Sequence, residues 1–257
     1  MGLIDGHAHL TFPELRDQID DVLDRCTGAG VDNVITVGTD LADGRAAVDL
    51  AKRYPSRVHA AAAFHPHEAG AVTDDDLAGI AELWADPAIV GLGEMGLDYH
   101  YDFVDRAVQR RVFADQLRLA ARLDKPVVIH SREAFDDTVQ LLGEHGFRDR
   151  PVVFHCFTGT RAEAQRVEAG GWRISFAGVV TFKKSGRLQE IAQAYPADRL
   201  MVETDSPYLS PEPVRSRRPN EPAFVAHTAR FLSELRGEGF AELAAQTARN
   251  TREFFSL

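Results

Sequence analysis

The chain has 257 residues, 44% of them hydrophobic and 26% charged, and its 39 acidic against 29 basic side chains leave a formal net charge of −10. That length suits one α/β domain over residues 1–257, the composition is that of a folded chain, and the acidic balance argues against coating long duplex DNA through a basic face. Two cysteines, Cys26 and Cys156, cannot build a disulfide framework, and neither a signal peptide nor a membrane span is legible, so a cytoplasmic protein without membrane contact is expected.

In chain order, apolar runs predict strands and helical spacing predicts the segments between them. A strand at Leu3–His7 is followed by a helix over Glu14–Ala29, and Asn33–Gly38 by Gly44–Tyr54. The strand Val58–Phe64 leads to a helix over Asp74–Ala85, where Thr73 and the acidic run Asp74–Asp76 mark the helix start. The strand Ile89–Glu94 precedes Arg106–Leu123, Pro126–His130 precedes Glu133–His145, and Val152–His155 precedes Arg161–Ala169. Trp172–Phe176 precedes Arg187–Tyr195, and after the strand Leu200–Thr204 come helices at Ala223–Arg236 and Phe240–Phe255. Eight strand–helix repeats favour a closed (β/α)8 TIM barrel over an open doubly wound sheet. Between the last strand and the last two helices, Ser206–Pro222 carries five prolines and three arginines and reads as a rigid polar loop near the site.

Reactive residues cluster by position. His7 and His9 close the first predicted strand, His65 follows the third, Glu94 ends the fourth, His130 the fifth, His155 the sixth, and Asp205 the eighth. In a parallel barrel these ends share one face, where barrel active sites lie. Residues two apart on a strand point the same way, which pairs His7 with His9 above Asp5. The same rule pairs Leu92 with Glu94, Val128 with His130, Val153 with His155, and Glu203 with Asp205. Four imidazoles and two carboxylates then converge as a mixed nitrogen and oxygen ligand set for divalent metals, enough for two ions. Cys156, next to a ligand position, is expected to face the helices as a small buried hydrophobe.

The segments IDGHAHL, FHPH, GLGEMGLDYHYD, KPVVIHSREA, FHCFTG, ISFAGVVTFKK, ETDSPYLSP and RPNEPAFV, in that order, resemble the TatD family of metal-dependent hydrolases over essentially the whole chain. The resemblance implies a TIM barrel, two divalent ions (Mg, Mn or Zn), and deoxyribonuclease or related phosphodiesterase activity. It implies His7, His9 and Asp205 on one ion, His130 and His155 on the other, and Glu94 bridging. Two departures stand out: His100 replaces a second tyrosine of the family's GLDYY, and the arginine-rich Arg215–Pro219 replaces a shorter R-G-K pattern.

The mechanism expected from this set is attack of an activated water on phosphorus, with Asp205 as general base and Glu94 and His65 as further catalytic groups. His65, Arg132 and Lys183 are candidate phosphate contacts, while Tyr99, Phe182 and Tyr208 could stack on a base. Glu203 and Asp5 are expected to orient ligands from behind. Asp98 could hold a ligand or cap a turn. The net charge points to short or single-stranded DNA ends as substrate, hence exonuclease-like cleavage, and a monomer is the simpler expectation. The alternatives are hydrolysis of another bond (a D-aminoacyl-tRNA ester, lactone or amide) and a non-catalytic barrel kept for interaction. Phosphate donors around the ligands favour the phosphodiester.

Overall fold

The computed structural model describes residues 2–101 and 103–257. The first half alternates β1 (Leu3–Ala8), α1 (Pro13–Arg16), α2 (Ile19–Gly28), β2 (Val31–Gly38), α3 (Leu41–Arg53), β3 (Val58–Ala62), α4 (Asp74–Leu83), β4 (Ile89–Asp98) and α5 (Arg106–Ala120). The second continues with β5 (Val127–Arg132), α6 (Phe135–Glu144), β6 (Val152–Phe154), α7 (Arg161–Ala169), β7 (Arg173–Phe176), α8 (Gly186–Ala194) and β8 (Leu200–Val202), and ends with α9 (Val225–Arg236) and α10 (Phe240–Phe255). All eight predicted strands are present, in sequential parallel order β1 to β8. The predicted helix over Glu14–Ala29 is split into α1 and α2, because Gln18 leaves helical geometry at φ −132° and ψ 32°.

The seam between β8 and β1 closes through both backbone and side chain. Asp205 N donates to His7 O at 2.9 Å and His9 N to Ser206 O at 2.8 Å. Beneath them Asp5 accepts from Thr204 N at 2.8 Å and from Thr204 Oγ1 at 2.5 Å, with His7 N at 3.3 Å. Asp5 therefore clasps the two ends of the sheet rather than touching an imidazole. Burial pushes its carboxyl well above the usual range, against the hydrogen bonds from Thr204.

Two apolar layers fill the fold. Helices pack on the outside of the barrel over a continuous cluster that includes Trp84, Phe113, Leu117, Phe154 and Phe176. The interior holds Ile35, Val37, Ala61, Val128, Val153 and Met201, with Phe254 and Phe255 from the last turn of α10. Phe255 lies against Gly91, near the start of β4, so the plug enters from the end away from the ligands. Burying each ring contributes about 1.5–3 kcal/mol.

Strand β4 departs from simple alternation. Leu92 pairs with Val127 and Met95 with Ile129, so three steps on β4 span two on β5. This bulge places Leu92 in the outer cluster while Glu94 faces the barrel mouth, so the expected shared face of Leu92 and Glu94 is not found. Just beyond, Gly96 has φ +147°, and a Cβ there would lie 1.9 Å from the His130 carbonyl oxygen. Only glycine lets β4 run this close to the backbone of β5.

Candidate active site

At the mouth, Glu94 occupies the centre and presents its two oxygens to different histidines. Oε1 lies 2.6 Å from His130 Nδ1, 2.6 Å from His155 Nε2 and 3.6 Å from His65 Nε2. Oε2 lies 3.4 Å from His7 Nε2 and 4.0 Å from His9 Nε2. Asp205 Oδ1 faces the same side, 3.6 Å from His9 Nε2 and 3.9 Å from His7 Nε2. Burial raises the Glu94 carboxyl, but the positive charge of His155 and the contacts from neighbouring imidazoles outweigh it and hold the group well below its ordinary value. Asp205 is likewise lowered: burial raises it, and His9, His155 and His7 more than compensate.

Three of the four ligand-type histidines, His9, His130 and His155, are oriented from behind. His9 Nδ1 lies 3.1 Å from Val37 O, an acceptor only, so this nitrogen carries the proton and Nε2 presents a lone pair. His155 Nδ1 is 3.3 Å from Glu203 Oε1, which also accepts from Cys156 N at 2.6 Å. His130 Nε2 is 3.0 Å from Asp98 Oδ2. Asp98 fills both roles open from sequence, because its Oδ1 accepts from His100 N at 2.9 Å and Tyr101 N at 3.0 Å and so caps the turn. Carboxylate or carbonyl support of this kind fixes tautomer and ring direction at metal sites.

The donor set fits divalent metal. Both ring nitrogens of His7 are buried without a hydrogen-bond partner, and a metal ion bound at one of them would remove that cost at that atom. Ligand atoms of His7, His9 and Glu94, of His7, His155 and Glu203, and of His65, Glu94 and His130 lie within 4.8 Å of one another in each group. His65 is distinguished by its tautomer: Nδ1 accepts from His67 N at 3.1 Å, leaving the ring proton on Nε2. Burial pushes its pKa down to about 3 against the pull of Glu94, so the ring is a neutral donor.

A family model described as TatD related DNase matches residues 4–256. The chain belongs to this TatD family. It is 36% identical over 255 residues to an uncharacterized metal-dependent hydrolase, YabD, of Bacillus subtilis, covering 99% of each chain. It is 37% identical over 262 residues to the 3′-5′ ssDNA/RNA exonuclease TatD of Escherichia coli, again covering 99% of each. The crystal structure of YJJV, a TatD homolog from Escherichia coli, superposes with a TM-score of 0.93 at 29% identity, covering 99% of this chain and 98% of that one. The protein is thus a metal-dependent hydrolase of the TatD family with a TIM-barrel fold. No helix among the described residues is long and apolar enough to cross a membrane.

The surrounding residues divide. A cavity of about 590 Å³ opens beside His155, and its charged lining mixes Arg132, Lys184 and Arg187 with Glu133, Glu163 and Glu190. Of the TFKK pair, Lys184 lines this cavity; Lys183 is exposed outside its lining. Tyr99 turns away, its hydroxyl 2.5 Å from Asp137 and its ring under Arg106. Tyr208 stays at the rim, 52% exposed and 6.4 Å from His9 between ring centroids. Phe182 is covered by Arg215, which pairs with Glu212. Strand β6 ends before His155, and Cys156 takes φ +42°. Alternation no longer applies there, and the thiol sits among the site carboxylates, not toward the helices. Burial and the charges of Asp205, Glu203 and Glu94 push it well above its ordinary pKa, the opposite of the lowered pKa that marks an activated thiol. His67, not among the residues expected at the site, joins it: its Nε2 lies 3.1 Å from the same Asp98 oxygen that holds His130.

Proposed function

We propose that the protein is a nuclease that hydrolyses phosphodiester bonds at the ends of short or single-stranded DNA. The observation that carries this reading is Glu94, whose two oxygens face two separate groups of imidazoles. On this reading His7, His9 and Asp205 would hold one divalent ion and His130 and His155 a second, with Glu94 contributing to both; magnesium, manganese and zinc would all suit such donors. When bound, the ions supply Lewis acidity that draws charge from a phosphoryl oxygen and lets water attack at neutral pH.

The chain's own groups then have defined tasks. Asp205, ionised and 16% exposed at the side chain, is placed to accept the proton that attacking water gives up. His65, neutral with its proton on Nε2, is placed to donate to a phosphate oxygen. Arg132 and Lys184, which form no ion pair among the described residues, offer charge to phosphates adjoining the reacting one. Glu203 and Asp98 keep the two imidazoles of the second group aimed while this happens. The relatives named as single-stranded exonucleases support the choice of substrate and end, and the acidic net charge supports a short footprint.

The test is metal-reconstituted cleavage of end-labelled single-stranded and duplex DNA by the wild type and by Glu94→Ala, with circular dichroism to establish that the variant is folded. Laddering from one end that vanishes in the variant is the expected result. Absence of cleavage with any divalent ion, despite bound metal, would transfer the assignment to ester or amide hydrolysis.

A further inference from the structure

Four large hydrophobic side chains are exposed among the described residues, and three of them, Tyr101, Phe103 and Tyr208, stand around the mouth of the site. Tyr101 and Phe103 are stacked on each other, ring centroids 5.2 Å apart with an interplanar angle of 0°. Arg132 lies over the Tyr101 ring at 4.8 Å, and Phe103 remains 67% exposed. His67 meets both rings edge-on, at 5.5 Å and 4.9 Å, and shares Asp98 with His130. The stack is therefore fixed to the same carboxylate that aims a candidate metal ligand. An aromatic pair left open to water at a functional mouth is placed to receive another flat ring. Arg132 adds a cation at the Tyr101 end of the pair, suited to a backbone phosphate of a neighbouring nucleotide.

Resting on the nuclease reading above, we propose that Tyr101 and Phe103 form a platform on which one unpaired nucleobase stacks beside the scissile phosphate. The base adds to the column at its open Phe103 side, and Arg132 faces the backbone at the other end. A base locked in a duplex cannot lie on this surface without leaving its own stack, so the platform selects single strands.

The experiment moves one abasic nucleotide stepwise along a short single-stranded oligonucleotide and measures kcat/KM for the wild type, Phe103→Ala and Phe103→Trp. The wild type should lose roughly 5- to 100-fold at one abasic position and little elsewhere. Phe103→Ala should lose a similar factor on the intact strand and nothing further at that position, while Phe103→Trp restores the wild-type pattern. Equal abasic profiles in wild type and Phe103→Ala, or a wild type indifferent to every abasic position, would overturn the platform with the nuclease reading intact. A wild type that cleaves no oligonucleotide with any divalent ion would overturn the nuclease reading itself.

Discussion

The Asp98 carboxylate lies 3.0 Å from His130 Nε2, behind the ring, and so leaves Nδ1 as the nitrogen presented to Glu94. That single contact sets both the tautomer and the direction of a candidate ligand. Burial raises Asp98, yet its contacts with His130 and His67 hold it below the ordinary carboxylate range. Asp98→Asn keeps the shape and removes the charge. Metal affinity should fall about 10- to 100-fold, measured by isothermal titration with manganese or zinc, while far-ultraviolet circular dichroism remains that of the wild type.

Gly96→Ala addresses the approach of β4 to β5. A methyl group placed 1.9 Å from the His130 carbonyl oxygen, on a residue at φ +147°, forces the strands apart. The loss of stability should exceed about 2 kcal/mol, and the midpoint of urea unfolding reads it directly. An unchanged midpoint would contradict the strand packing described above.

The two lysines of TFKK should separate cleanly. Lys184 lines the cavity beside His155 and Lys183 does not. Binding of single-stranded DNA, followed by fluorescence anisotropy against salt concentration, should lose about 0.7 of its logarithmic slope in Lys184→Ala. Lys183→Ala should leave that slope in place.

Cys26 supplies a dependence on alkaline pH remote from the site. Burial in α2, reinforced by the charges of Asp5 and Glu221, pushes its thiol up to about 12 from an ordinary value of 9.0. Above pH 9 the unfolded thiol ionises while the folded one stays protonated, so the unfolded state binds fewer protons and stability falls as pH rises toward 12. Relative to Cys26→Ala, wild-type stability should be level below pH 9 and then decline by up to about 1.4 kcal/mol per pH unit. Urea titrations at stepped pH give the difference.

The local code carried much of this protein. Alternating strand and helix periods place all eight strands, and residue types at strand ends bring His7, His9, Glu94, His130, His155 and Asp205 to one mouth. Those inferences work because period and chain direction are properties of neighbouring residues, and a parallel barrel forces every strand end to one face.

What only tertiary structure decided are relations between distant segments or at irregular backbone. The bulge in β4 depends on its register against β5, which reverses the face of Leu92. Cys156 lies past the end of β6, where the left-handed turn cancels alternation. Asp5 looks like a ligand's neighbour in the sequence and proves to be the clasp on Thr204, 199 positions away. Lys184 rather than Lys183, and Tyr101 with Phe103 rather than Tyr99, reach the mouth because loop direction beyond a strand follows from packing, not from any repeating period.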